Sequence, residues 1–334
     1  HARRRVAIVA ANNIDAARKV QVSGGLTWRM DERVGEFQLG SEVYAGNQLD
    51  RGHMVRREDV LWGTVPEARC ANEATFFFAN AAPQHQNFNQ DEWVTLEDWV
   101  LDRATDFSYR LCVFTGPVLR DNDPTLDDLP ATLRTAYRAI GEAQIPAAFW
   151  KVIVLRDGTA AGEDLSVVAF AMRQSEMWND KQGRQLLHLK VHQVTLEAIE
   201  EWTGLDFGAL KQADELQWSD ERMRERSGGP APEWPHIRSG QDIVYSGAAR
   251  RARGVRVARV ATVRTSGAAM RSTEGPADCG CSGTTPDGFD PRAAIEALNR
   301  DVVRLTGLLA GQGGQAPRGD EGLALLLEIG RAHV

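Results

Sequence analysis

The chain has 334 residues, enough for one large domain or two ordinary ones. Hydrophobic residues make up 43% and charged residues 25%, the composition of a soluble folded protein. No stretch approaches the roughly 18 apolar residues a membrane span needs, so an integral membrane protein is not expected. With 39 Lys and Arg against 46 Asp and Glu, the net charge of -7 argues against a nucleic-acid binder held by bulk positive charge, while local basic patches stay open. The four cysteines are too scattered for a disulfide scaffold and leave the compartment open, with the cytoplasm mildly favoured.

In chain order, β-type runs are expected at Val6 to Ala10, Thr75 to Ala79, Tyr109 to Thr115, Trp150 to Leu155 and Leu165 to Met172. Helices are expected over Gln90 to Ala104 and over Thr195 to Trp202, the second with Thr195 as N-cap and Gly204 as its stop. Strands and helices without regular alternation point to an α+β fold. After Ile243 the texture changes, and residues 245–290, rich in Arg, Gly, Ser and Ala, read as a linker following a domain of residues 1–244. Over residues 291–327 the steps Ile295, Leu298, Val302, Leu305 and Leu309 predict an amphipathic helix from a further region. Residues 328–334 match a sequencing-adapter read-through, and both ends are expected to be cut, with flanking domains lost.

The chemistry concentrates between residues 50 and 99. If a helix starts near Asn89, then Asn89, Trp93 and Glu97 share a face that presents an amide oxygen and a carboxylate. Such hard oxygen donors suit Mg²⁺, which keeps most of its waters, and the helix N-terminus would offer N–H groups to a phosphate. His53 brings an imidazole whose ordinary pKa of about 6.5 makes it available as a general base at neutral pH. Arg51 brings a fork of donors to phosphate oxygens.

These residues fall into an ordered set: Asp50-Arg51-Gly52-His53, then Asn80-Ala81-Ala82-Pro83-Gln84, then Asn89 through Trp93 to Glu97. The set resembles the DNA/RNA non-specific endonucleases of the ββα-metal (His-Me finger) superfamily. The likeness continues at Val113 to Pro117, at Ile145-Pro146, at Phe149 to Val152 and around Glu197 to Phe207, and so covers roughly residues 5 to 244. It implies a ββα finger with a mainly antiparallel central sheet and flanking helices. One finger strand would end at His53, the other would run over Thr75 to Asn80, and the helix would begin at Asn89.

The resemblance also implies roles. His53 would be the general base, Asn89 the direct protein ligand of one Mg²⁺ (with Mn²⁺ as the alternative metal), and Glu97 would hold metal-bound waters. Arg51 would steady the phosphate, and Asn80 would position the site through a hydrogen bond to His53 or to the substrate. Asp50 would only anchor its strand. Arg29 and Arg33 both lie where the family often carries a further catalytic arginine, and the sequence does not choose between them. DNA and RNA would be cut alike, with Arg51, Arg56 and Arg57 as local phosphate contacts, and homodimerisation is left open. The competing reading is a non-catalytic nucleic-acid-binding or interaction module that keeps the fold.

Other candidates are weaker. Cys279-Gly280-Cys281 reads as chance cysteines in a linker, and Cys70 has no partner at zinc-site spacing. His85 reads as a surface histidine near the site. His188 and His192 have no ligand-like companion, and Phe76 to Phe78 read as core on one face and interface on the other.

Overall fold

A computed structural model describes residues 1–23, 27–90, 92–106, 110–125, 128, 143–159, 162–174, 191–229 and 233–245. The linker, the C-terminal helix, the terminal seven residues, His188, Cys279 and Cys281 all lie outside the described residues.

Six strands form one antiparallel sheet: β1 (Ala10–Asp15), β4 (Arg110–Val118), β5 (Ala148–Thr159), β6 (Gly162–Arg173), β7 (Val191–Val194) and β8 (His236–Ile237), adjacent in that order. A separate two-stranded ladder pairs β2 (Leu49–His53) with β3 (Ala81–His85). The helices are α1 (Val65–Ala74), α2 (Gln86–Gln90), α3 (Glu92–Asp106), α4 (Leu196–Thr203) and α5 (Asp220–Arg226). The expected α+β class with a mainly antiparallel sheet is the one observed.

Both faces of the sheet are covered, so its central strands are apolar on both sides and do not alternate with polar residues. On β5, Phe149, Ile153 and Leu155 enter the core shared with Leu49, Met54, Phe78, Phe88, Trp93, Leu96 and Val100. Trp150, Val152 and Val154 enter the opposite core, shared with Leu196, Ile199 and Phe207. By this two-residue period Lys151 falls on the first face, under α3, in a register otherwise filled by hydrocarbon.

Several expectations shift. Val6 to Ala10 is not a strand: the first strand is Ala10–Asp15, whose pairing to β4 recruits two asparagines of poor strand propensity. Thr75 to Ala79 is not a strand either. Thr75 closes α1, and Phe78–Asn80 is a short 3-10 turn. The second finger strand is instead Ala81–His85, aligned so that Asp50 faces Gln84 and His53 faces Ala81. The helix expected over Gln90 to Ala104 is α3, preceded by the short α2. α4 begins after Thr195, whose hydroxyl accepts from Ala198 N at 3.2 Å, and it stops at Gly204 with φ +72°, as the sequence indicates. α1 lies outside the expected elements, although Thr64 and Glu67 form a reciprocal capping box at its start, with Pro66 in its first turn.

Candidate active site

β2 delivers Asp50, Arg51, Gly52 and His53 in sequence, and β3 backs them. Gly52 leaves room for Gln84: a Cβ there would meet the end of the Gln84 side chain, which would have to move. Gln84 is itself buried, and neither atom of its amide has a hydrogen-bond partner.

His53 ends the strand between two aromatic rings. Its ring centroid lies 4.7 Å from Trp28 and 5.1 Å from Phe76, the latter edge-on at 83°. Nε2 is buried and has no hydrogen-bond partner. Burial is the main reason the imidazole pKa is pushed down to about 4; the field of Glu58 opposes the shift, and those of Arg57 and Arg56 reinforce it. The imidazole is therefore neutral well below the pH of about 6.5 taken from its ordinary value.

Asn80 does not bond to His53. Its Oδ1 accepts from Val55 N at 2.9 Å, and its Nδ2 donates to Val55 O and Thr75 O, both at 3.0 Å. Its backbone carbonyl also accepts from Met54 N at 2.9 Å. The side chain thus clamps the chain just after His53 to the end of α1, and it works through the backbone.

Asn89 sits within α2, not at a helix start, and Gln86 N at that start already donates to Gln48 O at 2.9 Å. The anticipated phosphate cradle at a helix N-terminus beginning at Asn89 is therefore not formed. What the structure adds is Asp50: Asn89 Nδ2 donates to Asp50 Oδ2 at 3.1 Å. That contact orients the amide and leaves its oxygen, the end able to meet a cation, unused by it. Asp50, read from sequence as a strand anchor, is the residue that presents Asn89.

Glu97 is buried on α3 and lies between two cations. Lys151 Nζ is 3.1 Å from Oε1, and Arg56 Nε is 3.8 Å from Oε2. Lys151 also lies 5.2 Å from the Trp93 ring centroid. Trp93, expected to share the site face, is instead 1% exposed and stacks on Phe88 in the core. Arg56 is further held by Asp98 at 2.7 Å, and Arg57 by Asn72 Oδ1 and Val22 O, both at 2.9 Å. Both arginines expected as local phosphate contacts are thus also engaged within the fold. Asp59, next along, is buried with Oδ1 unpartnered, and desolvation raises its pKa to about 7.

Arg51 lies over Tyr44 at 5.5 Å and Phe78 at 5.9 Å, with its Nε buried and unpartnered. Arg33 makes a two-pronged pair with Asp31, at 2.9 and 2.8 Å. Arg29 lies exposed over the Phe77 ring at 4.4 Å, and its backbone is bonded on both sides to Phe76 and Phe78. His85 is buried in β3 and is not a surface histidine. His192 lies on β7, where its Nδ1 is 3.0 Å from Trp234 O.

The strand and loop from Asp50 to Arg56 therefore tie the finger together, meeting α2 through Asn89 and α3 through Glu97. No group of three or more His, Cys, Asp or Glu able to hold a metal occurs among the described residues. The oxygen donors these elements carry are the Asn89 amide, oriented by Asp50, and the buried Glu97 carboxylate. This set fits a hard cation that takes few protein ligands and keeps its waters, and it does not fit zinc.

The family model for DNA/RNA non-specific endonucleases matches residues 1–214. The chain belongs to that family. Membership agrees with the resemblance carried by Asp50 to His53, Asn80 to Gln84 and Asn89 to Glu97. The chain is 37% identical over 165 residues to the uncharacterized protein y4fB of Sinorhizobium fredii, covering 46% of this chain and 23% of that protein. It is 27% identical over 184 residues to mitochondrial endonuclease G of Homo sapiens, covering 54% of this chain and 55% of that protein. It thus spans less than two thirds of either relative. A solved complex of EndoG with EndoGI, described as showing the mechanism of EndoG inhibition, aligns at 25% identity with a TM-score of 0.45, covering 62% of this chain and 80% of that one.

Proposed function

We propose that this chain is a metal-dependent endonuclease that hydrolyses phosphodiester bonds of DNA and RNA with little sequence preference. The observation that carries the reading is the neutral, half-enclosed imidazole of His53 at the end of β2, one strand away from an asparagine whose amide is turned by Asp50.

His53 takes a proton from the attacking water. Its Nε2 is enclosed, which leaves that task to Nδ1. Asn89 would hold one Mg²⁺ through its amide oxygen, and Mn²⁺ would suit the same donor. Glu97, fixed by Lys151 and Arg56, would offer its remaining lone pairs to the waters such a cation keeps. A cation bound there supplies charge neutralisation at the phosphate and the leaving oxygen. Arg51 faces the same phosphate, its guanidinium lying over Tyr44 with no carboxylate partner among the described residues. Between the two upstream arginines, Arg29 suits the role of further phosphate clamp, because Arg33 is already held by Asp31. Asn80 keeps the strand end in place and touches no reacting atom.

None of these contacts reads a base edge or a 2′-hydroxyl, so deoxy and ribo substrates should react alike. Digestion of matched DNA and RNA oligomers of varied sequence tests this. Comparable cleavage of both is expected, suppressed by added salt as phosphate contacts weaken. A single preferred motif, or activity on one sugar type alone, would overturn the substrate assignment.

A further inference from the structure

We propose that Trp28 is a positioning residue for His53. Its indole and the ring of Phe76 enclose the imidazole, hold its orientation and keep it in the neutral form that accepts a proton from water. This rests on the reading of His53 as the general base.

Trp28 reaches His53 from a segment far away in sequence, and the backbone fixes it there. Arg29 N donates to Phe76 O at 3.0 Å, and Phe78 N donates to Arg29 O at 2.9 Å, so residues 28 and 29 run as one rung alongside the phenylalanines. The indole then packs against three rings: His53 at 4.7 Å, Phe76 at 5.3 Å and Phe78 at 5.7 Å. Phe76 closes the imidazole edge-on from a second side. Two aromatic walls replace water on a ring whose buried Nε2 finds no hydrogen bond. An imidazole so placed gains little from protonation, because the charged form loses hydration that hydrocarbon cannot replace.

The charged groups facing His53 are Glu58, which favours the imidazolium, and Arg57 and Arg56, which disfavour it. These fields oppose one another, and both arginines are themselves paired with Glu58. The enclosure is the larger influence, and its direction agrees with the lowered pKa of the ring. Among the described residues Trp28 makes no hydrogen bond, and its contact with the site is the imidazole ring, so its effect on the reaction passes through His53.

The experiment is a proton NMR titration of the His53 ring in the full chain without metal, its resonance assigned by loss in His53→Ala, for the wild type, Trp28→Ala and Trp28→Phe. Each is paired with kcat and KM as a function of pH in Mg²⁺. In Trp28→Ala the His53 midpoint should rise by roughly one unit or more toward its ordinary value. Its kcat should fall about ten- to a hundredfold, with KM little changed, and the acid limb of its pH profile should move up with the His53 midpoint. Trp28→Phe should restore most of both. Should Trp28→Ala fail to fold, Trp28→Leu keeps apolar bulk, leaves the imidazole face partly open, and should show the same upward midpoint. A midpoint unmoved in a folded Trp28→Ala or Trp28→Leu protein, or a wild-type midpoint already near 6.5, would overturn the proposal. A fully active His53→Ala would instead overturn the general-base reading, and it leaves the titration result unaffected.

Discussion

Lys151→Met removes one half of an ion pair enclosed by the sheet, α3 and the Trp93 ring. Lys151 is 1% exposed and Glu97 7% exposed, so water cannot reorganise around the carboxylate left behind. Breaking a buried pair from one side costs about 3–5 kcal/mol. Arg56 Nε, 3.8 Å from the other carboxylate oxygen, retains part of the compensation, which favours the lower end, about 3 kcal/mol. For a domain of this size that corresponds to a fall in Tm of roughly 6–12 °C, readable by circular dichroism on the full chain. The double variant Lys151→Met with Glu97→Gln leaves no uncompensated charge and should recover most of the loss, since replacing both members of a buried pair is often close to neutral. A single variant melting within about 2 °C of wild type, a shift worth only about 1 kcal/mol or less, would show that Lys151 does not hold Glu97. So would a double variant no more stable than the single.

Asp59→Asn should stabilise the protein at pH 8 and change little at pH 4. Burial raises this carboxyl to about 7, so the folded state holds its proton while the unfolded chain loses it, and stability is lost as pH rises toward 7. The gain at pH 8 is at most about 4 kcal/mol, and equal urea midpoint shifts at both pH values would contradict it. His53 behaves oppositely. With its pKa lowered to about 4, its contribution is complete above about 6.5 and is lost as pH falls from there to 4, by at most about 3 kcal/mol; urea melts should show the wild type losing stability relative to His53→Phe across that window, and parallel pH dependences would contradict it. Asp50→Ala should raise the Mg²⁺ concentration for half-maximal cleavage about tenfold by releasing the Asn89 amide, and Asn89→Ala should raise it further. An unshifted Mg²⁺ dependence in Asp50→Ala would mean that the amide needs no such guide.

What the sequence showed and what it hid divide along physical lines. Thr195 and Gly204 announce α4 because a cap and a left-handed stop are local chemistry. Thr64-Val65-Pro66-Glu67 announces α1 just as clearly and was legible on the same grounds. Phe76, Phe77 and Phe78 mislead, since three aromatics in a row suggest a strand while here they splay around Trp28, Arg29 and His53. The true second strand, Ala81 to His85, carries alanines and a proline, and is made a strand only by its register with β2. The residues around His53, Asn89 and Glu97 were legible as a set, but their partners were not. Asp50 meets Asn89 across 39 positions and Lys151 meets Glu97 across 54, and no local pattern encodes such pairs.

We propose that His53 performs the proton transfer in a metal-dependent phosphodiester hydrolysis. The most direct test is plasmid and RNA digestion by the full chain in Mg²⁺ and in EDTA, beside a His53→Ala variant shown to be folded by its melting curve. Cleavage of both substrates in Mg²⁺, none in EDTA, and a loss of about 10²–10⁴-fold in His53→Ala are expected. Undiminished cleavage by folded His53→Ala, or full activity in EDTA, would contradict it.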